Sequence, residues 1–456
     1  MRFTLGEIAR ITKGQLVGQD TLVSSLSIDT RTLHQGDLFI ALVGERFDPH
    51  ELIAAGHAKL AGALLVEHAL DVPNPQIVVR RTPAALQDLA KAWRAKFKVP
   101  VVGITGSNGK TSVKELTREI LSTQGDVLAT QGNLNNHIGV PLTLLGLNES
   151  HRHAVIEMGA NHAGEIENLT RIASPDIGVI SNIGPAHLEG FGSLEGVARA
   201  KAELYRYMNP RGIAVVNADE PYLPLWREDI GTRRQVSFGI RQDADVTGEK
   251  TDSRKVRIRT PTGEIHTTLQ VPGQHGLYNA LAAAAVCTGL EIGLEDIRTG
   301  IESAKPVPGR LVRLEGIHGA CVLDDTYNAN PASLSVALDV QAQEPGAHWL
   351  VLGDMGELGG ESIALHKKAG IMARKSGIAR LLAVGKLAAH AVETFGQDGE
   401  HFLEHREIIE VLRNELDDQV CVLVKGSRAM HLEKVIEGIR ARAPADLGGS
   451  HKEHAA

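Results

Sequence analysis

The sequence predicts an α/β protein of three domains, two of them built on doubly wound parallel sheets. Short β-branched apolar runs alternate with amphipathic helical stretches from about residue 100 onward, the pattern of strand–helix–strand units. A chain of 456 residues exceeds what one core usually serves. The composition, 43% hydrophobic and 23% charged, is that of an ordinary globular protein.

In order along the chain, residues 1–81 carry the short runs "DLFIAL", "AGALLVE" and "QIVVR" between turn-rich pieces and are expected to form a small α/β domain. A central domain, 82–309, should open with a helix at Thr82, with Pro83 in its first turn. Its strands are "VPVVGIT", "HAVIEM", "DIGVISNI" and "GIAVVN". "NALAAAAVCTGLEIGL" is Ala-rich and interrupted by Glu291, so it reads as a buried helix rather than a membrane span. The third domain, 310–456, repeats the alternation with "ACVLDDT", "HWLVLG", "RLLAVG" and "CVLVKGS" and is expected to be Rossmann-like, with a disordered tail from about 444.

Composition also narrows the function. A net charge of −7, no long basic run and 4% aromatics disfavour nucleic acid as a partner. Cys287, Cys321 and Cys421 are few, far apart and odd in number, which suits a reducing compartment and argues against a disulfide framework or a zinc site. The start has no apolar core of signal-peptide length. A cytoplasmic enzyme is the expectation.

The stretch "VVGITGSNGKTSVKEL", 101–116, places "TGSNGKT" (Thr105, Gly106, Ser107, Asn108, Gly109, Lys110, Thr111) between a strand and a helix whose apolar face is Val113, Leu116, Ile120 and Leu121. Backbone amides at such a helix start can approach phosphates, Lys110 can neutralise β/γ-phosphates and the Thr111 hydroxyl can ligate Mg²⁺. The strict phosphate-loop spacing fails by one residue, because Ile104 stands five before Gly109 and the glycines are Gly103 and Gly106. A glycine-rich turn with an incidental lysine is the alternative; the combination of strand, loop, Gly-Lys-Thr and helix disfavours it. No Asn-Lys-x-Asp guanine-reading motif is present, which lowers a switch GTPase.

Glu157 ends an apolar run before Gly159, at the strand end where open sheets bind ligands, and suits a hard cation; a simple ion pair with a lysine is equally open at this point. His187 sits in the Gly/Pro-rich loop of "SNIGPAHLEGFG", where a lone histidine is ordinarily just solvated. Lys201 falls on the helical stripe formed by Leu194, Val197, Ala198, Leu204 and Met208. It either snorkels to the edge or faces an acidic site or carries a modification.

These motifs, together with "GNLNNHIGVPLTLL", "IEMGA", "ARAKAEL", "NADEP", "GQHGLYNALAAAA", "VPGR" and "DDTYNANPASL", run in order along nearly the whole chain and resemble the Mur ligases, ATP-dependent amide-forming enzymes of peptidoglycan synthesis. "DTRTLHQGDLFIALVGERFDPHEL", "VLGDMGELG" and "VKGSRAM" resemble most the members that join D-alanyl-D-alanine to UDP-N-acetylmuramoyl-tripeptide. The resemblance implies ATP and two Mg²⁺ ions, with Thr111 and Glu157 on one ion and His187 on the second. It implies a carbamate on Lys201, Asn279 at adenine, and Arg310 and Asp325 at the nucleotide phosphate and ribose. Gly276 stands where the family usually has Asn. Asp29, Arg31, Asn135 and Asn136 are expected on the UDP-linked substrate, and a monomer is expected. For the dipeptide, the loops 353–360 and 425–428 lie at strand ends, so the amides of Gly426 and Ser427 with Lys425 or Arg428 would hold its carboxylate and Glu357 would face its ammonium. A sister ligase adding a single amino acid and a nucleotide-binding regulator are the rival readings; the first is disfavoured by "DMGELG", the second by the retained Lys110, Glu157, His187, Lys201 and Asp325.

Overall fold

The computed structural model describes residues 1–44, 47–185, 187–252 and 254–441; the tail expected from about 444 lies outside them. Three separate sheets organise the chain, of five, nine and six strands, beside a two-stranded pair near the N-terminus. The five-stranded sheet holds Leu38–Ile40, Ala63–Val66 and Gln76–Val78, the three runs singled out in the sequence, all parallel. Leu26–Ser27 and Gln15–Val17 extend its two edges.

In the nine-stranded sheet Val101–Thr105 is third from one edge, flanked by His151–Glu157 and Ile177–Ile180, all parallel. Val101–Thr105, Ile177–Ile180 and the 154–157 end of His151–Glu157 are buried on both faces, which is why they read as continuous apolar runs rather than alternating ones. One face is covered by Lys110–Ser122 and Gly273–Gly289, the latter the Ala-rich buried helix. The other face is covered by Gly139–Leu145, Glu165–Ala173 and Leu194–Tyr207. Beyond Ile213–Asn217 and Arg234–Gly239 the sheet continues into Val246–Lys250 and then two antiparallel strands, Lys255–Thr260 and Gly263–Thr268, which the sequence reading did not separate.

The helix Thr82–Arg94, with Pro83 in its first turn, binds the first sheet to the second. Its Trp93, Leu86 and Leu89 share one apolar core with Phe3, Leu5 and Ile8 on one side and Leu144 and Leu169 on the other. Arg94 donates to Ala173 O at 3.1 Å, Phe97 O at 2.8 Å and Asp176 Oδ2 at 3.2 Å, and Trp93 Nε1 to Leu147 O at 2.9 Å. The third sheet is parallel in Cys321–Asp325, Val420–Lys425, Ala347–Gly353, Arg380–Val384 and Gly399–Phe402, with Val312–Glu315 antiparallel at one edge. No helix among the described residues is long and apolar enough to cross a membrane.

Candidate active site

The phosphate loop is shaped by two glycines. Gly106 has φ 142°, and a Cβ there would lie 2.1 Å from Ser181 Oγ. Gly109 has φ 79°, and a Cβ would lie 2.5 Å from Asn279 Oδ1. The loop is braced by the next strand end: Ser107 N donates to Asn182 O at 2.9 Å, Asn108 N to Asn182 Oδ1 at 3.0 Å, and Ser181 Oγ to Asn108 O at 2.6 Å. The Ser107 and Asn108 amides are therefore occupied, and the donors left for phosphates are those of the helix start, which have no carbonyl one turn back. Lys110 Nζ folds over the loop to Gly106 O at 2.8 Å and Ser107 O at 3.3 Å. Burial lowers its pKa, and the nearby Glu157 opposes that shift. Thr105 does not face the cleft; its hydroxyl donates to Met158 O at 2.8 Å, tying the loop's strand to the strand that ends in Glu157.

Glu157 is buried. Its N–H donates to Thr130 Oγ1 at 2.9 Å and its Oε1 accepts from Asn135 Nδ2 at 2.8 Å, while its Oε2 is buried with no protein partner. An orphaned carboxylate oxygen in the interior is the donor a hard cation wants. Among the described residues no three His, Cys, Asp or Glu gather as a ready-made cage. Mg²⁺ is usually held by one or two protein groups, water and substrate phosphates. Lys201 is also buried, with its Nζ 3.5 Å from Ala160 O and 5.4 Å above the Phe191 ring. Burial, helped by the charge of Lys110, brings its pKa down to about 7.

The third domain meets this loop directly. Arg310, stacked 4.0 Å over Tyr327, reaches Thr111 Oγ1 at 3.4 Å, and its Nε is buried without a partner. Asn330, besides capping the helix Pro331–Gln341, donates to Asn108 Oδ1 at 3.2 Å. His187 Nδ1 lies 2.6 Å from Glu357 Oε2, and that histidine holds the Glu357 carboxyl below its usual range. Both residues sit in the left-handed region, at φ 52° and 62°, where a non-glycine residue stores about 1–3 kcal/mol of strain. Between the two domains lies a cleft of about 1310 Å³, more than the ~300–1,000 Å³ of a typical small-molecule site and roomy enough for several substrates together.

Ser107, Asn108, Gly109, Lys110, Glu157, His187, Asn279, Arg310, Asp325, Asn135, Asn136 and Glu357 all border this cleft. Asn136 also caps the start of Gly139–Leu145 through bonds from Ile138 N at 3.1 Å and Gly139 N at 2.9 Å. Gly276 lies in the helix Gly273–Gly289 against the segment that precedes it: a Cβ there would lie 2.1 Å from Val271 O, so no side chain fits without moving the chain.

The remaining expected substrate residues are engaged within the protein or lie outside the cleft. Lys425 is no open cation for a carboxylate, because it is buried and paired with Asp325 Oδ2 at 2.5 Å and with Asn328 O at 2.8 Å. The Ser427 amide is already bonded to Asp354 O at 2.9 Å. Arg428 is exposed, 3.4 Å from Glu433 Oε1, and does not border the cleft. Asp29 and Arg31 pair with each other at 2.6 Å away from the cleft, and the Arg31 hydrogen bonds hold Asp29 down at about 2.

Several residues of the site were not assigned from sequence. Thr130, Ser181 and Asn182 act through spatial neighbours far away in the chain. Asp219, inside "NADEP", accepts from Tyr278 OH at 2.6 Å and from the amides of Ile240, Arg241 and Gln242 at the cleft wall. For Ser181, Asn182 and Asp219 the only signal was their place inside motifs quoted for the family resemblance.

Residues 104–287 match the Mur ligase middle domain and residues 309–428 the Mur ligase glutamate ligase domain. The UDP-N-acetylmuramoyl-tripeptide–D-alanyl-D-alanine ligase of Escherichia coli (strain K12) is 43% identical over 444 residues, covering 96% of this chain and 98% of that one. A crystal structure of MurF from Acinetobacter baumannii superposes with a TM-score of 0.90 at 35% identity, covering 96% of this chain and 98% of that one. MurF ligase from Thermotoga maritima, solved in complex with ADP, superposes with a TM-score of 0.81 at 28% identity over 91% of this chain and 96% of that one. The chain belongs to the Mur ligase family.

Proposed function

We propose that this protein is the ATP-dependent, ADP-forming ligase that joins D-alanyl-D-alanine to UDP-N-acetylmuramoyl-tripeptide, acting in the cytoplasm as a monomer in peptidoglycan precursor synthesis. The observation that carries the chemistry is the meeting, in one interdomain cleft, of the phosphate loop, a buried acid with a free oxygen and a third-domain arginine. The near full-length similarity to the Escherichia coli ligase supports the choice of substrates. The relative solved with ADP supports ATP as phosphoryl donor.

A carboxylate is a poor acyl donor, so its oxygen must first be phosphorylated. The peptide carboxylate attacks the γ-phosphorus in line, ADP leaves, and an acyl phosphate forms. Lys110 and the helix-start amides hold the β- and γ-phosphates and stabilise the charge spreading over the transferred group. Arg310 approaches the same phosphates from the third domain. The dipeptide amine then attacks the acyl carbon and phosphate departs, giving the amide. Glu357, at the cleft wall, faces the incoming ammonium. Closure of the third domain keeps water from the acyl phosphate.

Thr111 and Glu157 would hold one Mg²⁺, with His187 and a carbamylated Lys201 supporting a second; the ions would neutralise phosphate charge during transfer. The free Glu157 Oε2 fits the first, and an inward-facing amine with pKa about 7 fits carbamate formation, which needs the neutral amine.

The test is phosphate release with the UDP-linked tripeptide and a panel of acceptors. D-Ala-D-Ala should support turnover far better than D-Ala or L-Ala. Equal rates with a single amino acid would reassign the chain to a sister ligase, and no release with any acceptor would remove the ligase reading.

A further inference from the structure

The third domain carries a pair of cysteines that the ligase chemistry does not use. Cys321 opens the strand Cys321–Asp325, and Cys421 lies opposite it on the neighbouring parallel strand Val420–Lys425. Their sulfurs are 3.2 Å apart, although 100 residues separate them in the chain. Neighbouring parallel strands keep Cα atoms within the ~4.4–6.8 Å span a disulfide needs, so the bond requires only side-chain rotation and a small approach. Cys421 is fully buried; Cys321 keeps 9% of its surface open, enough for a small oxidant to reach it. Around Cys321 stand Glu344, 3.8 Å from its sulfur, and Arg313, whose Nε is 3.1 Å from Glu344 Oε2. The hydrogen bond with Cys421, and then the Arg313 charge, hold the Cys321 thiol below its ordinary value, whereas Cys421 is pushed up. Glu344 opposes that lowering, so the order of attack follows from access: Cys321 is the sulfur an oxidant meets first, and Cys421 stands beside it to resolve the product.

We propose that Cys321 and Cys421 form a peroxide-sensitive dithiol that is oxidised reversibly to an intrachain disulfide. The Cys321 thiolate attacks a hydroperoxide, the O–O bond breaks, and a sulfenic acid forms as water or an alcohol leaves. The Cys421 sulfur then displaces the sulfenic hydroxyl, which departs as water with the Cys421 proton. Two thiols lose two electrons and the hydroperoxide gains them. The third cysteine, Cys287, is buried in the helix Gly273–Gly289 with no neighbouring thiol and serves as an internal control. The dithiol sits at the opposite strand end from Asp325 and Lys425, which pair beside the cleft, so this thiol chemistry is spatially separate from ligation.

The experiment treats the full-length protein with hydrogen peroxide and counts thiols after denaturation, with a non-reducing peptide map by mass spectrometry. The titre should fall from three, the number of cysteines in the chain, by two, with a Cys321–Cys421 cross-link within one chain that dithiothreitol reverses. Cys421→Ser should stop at a Cys321 sulfenic acid trapped by dimedone, and Cys321→Ser should give neither product. An unchanged titre, cross-links only between chains, or irreversible oxidation of Cys321 in the wild type would each overturn the proposal.

Discussion

A lysine whose nearest acceptor is a carbonyl at 3.5 Å, and whose neighbours include a second ammonium, is not there for stability. The folded pKa of Lys201, about 7, lies below the 10.5 of an ordinary lysine. Below pH 7 both folded and unfolded chains carry the proton, and folding bears the full desolvation cost. Between pH 7 and 10.5 the unfolded chain binds more protons, so this residue's penalty shrinks as pH rises. In CO₂-free buffer Lys201→Met should therefore raise unfolding stability most below pH 7, by up to about 5 kcal/mol, and the gain should fade toward pH 10.5. Denaturant titrations across that range measure it; a gain independent of pH would show that the residue's charge is not what costs. In ¹³C-bicarbonate the wild type should show a carbamate resonance that Lys201→Met lacks and that grows as pH rises through 7. Lys110 differs in kind. Burial lowers its pKa too, but its side chain keeps some exposure and its ammonium bonds to two loop carbonyls that offset the cost, so Lys110→Ala should change stability by under about 1 kcal/mol while lowering kcat about 10²–10³-fold. Near-normal turnover at saturating ATP and Mg²⁺ would remove its phosphate role.

At the scale of elements, the helix Lys110–Ser122 must hold its start still. Part of that rigidity comes from Leu294–Ser303, the last helix before the third domain, which crosses it so closely that a Cβ at Gly300 would lie 2.3 Å from Ile120 Cα. Alanine at a helical glycine ordinarily stabilises by about 1 kcal/mol. Here the obstructing atom is backbone and cannot rotate away, so overpacking at about 1–3 kcal/mol should win. Gly300→Ala should lower the midpoint of chemical unfolding; a rise would mean that the two helices can part at little cost. Such crossings were invisible in the sequence, whereas the parallel strands were plain, because double burial makes them unbroken apolar runs. The strands Lys255–Thr260 and Gly263–Thr268 were not singled out because one face is wet and their residues alternate with Arg and Glu. The same division holds at the site. Lys110, Thr111, Glu157 and Lys201 stand out by local pattern. The pairing of Lys425 with Asp325 depends on which strand lies beside which, and a strand-end lysine looks free until that neighbour is known.

Across the whole molecule the three domains are not joined alike. The first and second share one apolar core through Thr82–Arg94. The third joins through residues 304–311, which hold neither helix nor strand. At the mouth of the cleft it touches the central domain through polar pairs, Arg310 with Thr111, Asn330 with Asn108 and His187 with Glu357. Partly exposed pairs of this kind are worth about 0–1 kcal/mol each, so closure without ligands is marginal. Substrates that bridge the cleft should then shift the population toward the closed form, by as much as they prefer it. Of the two contacts that reach the phosphate loop, Asn330 to Asn108 and Arg310 to Thr111, only Arg310 carries a charge. Arg310→Ala should raise the KM for ATP about tenfold or more, a loss of at least about 1.4 kcal/mol. Small-angle scattering should show the wild type contracting with a non-hydrolysable ATP analogue and both substrates, and Arg310→Ala contracting less at the same concentrations. The unfolding midpoint should hardly move, because the Arg310 side chain stacks on Tyr327 outside the apolar cores of the third domain. A wild type whose scattering is unchanged by the ligands would mean that the third domain is already docked, and the arginine would then be a static phosphate ligand rather than part of a closing jaw.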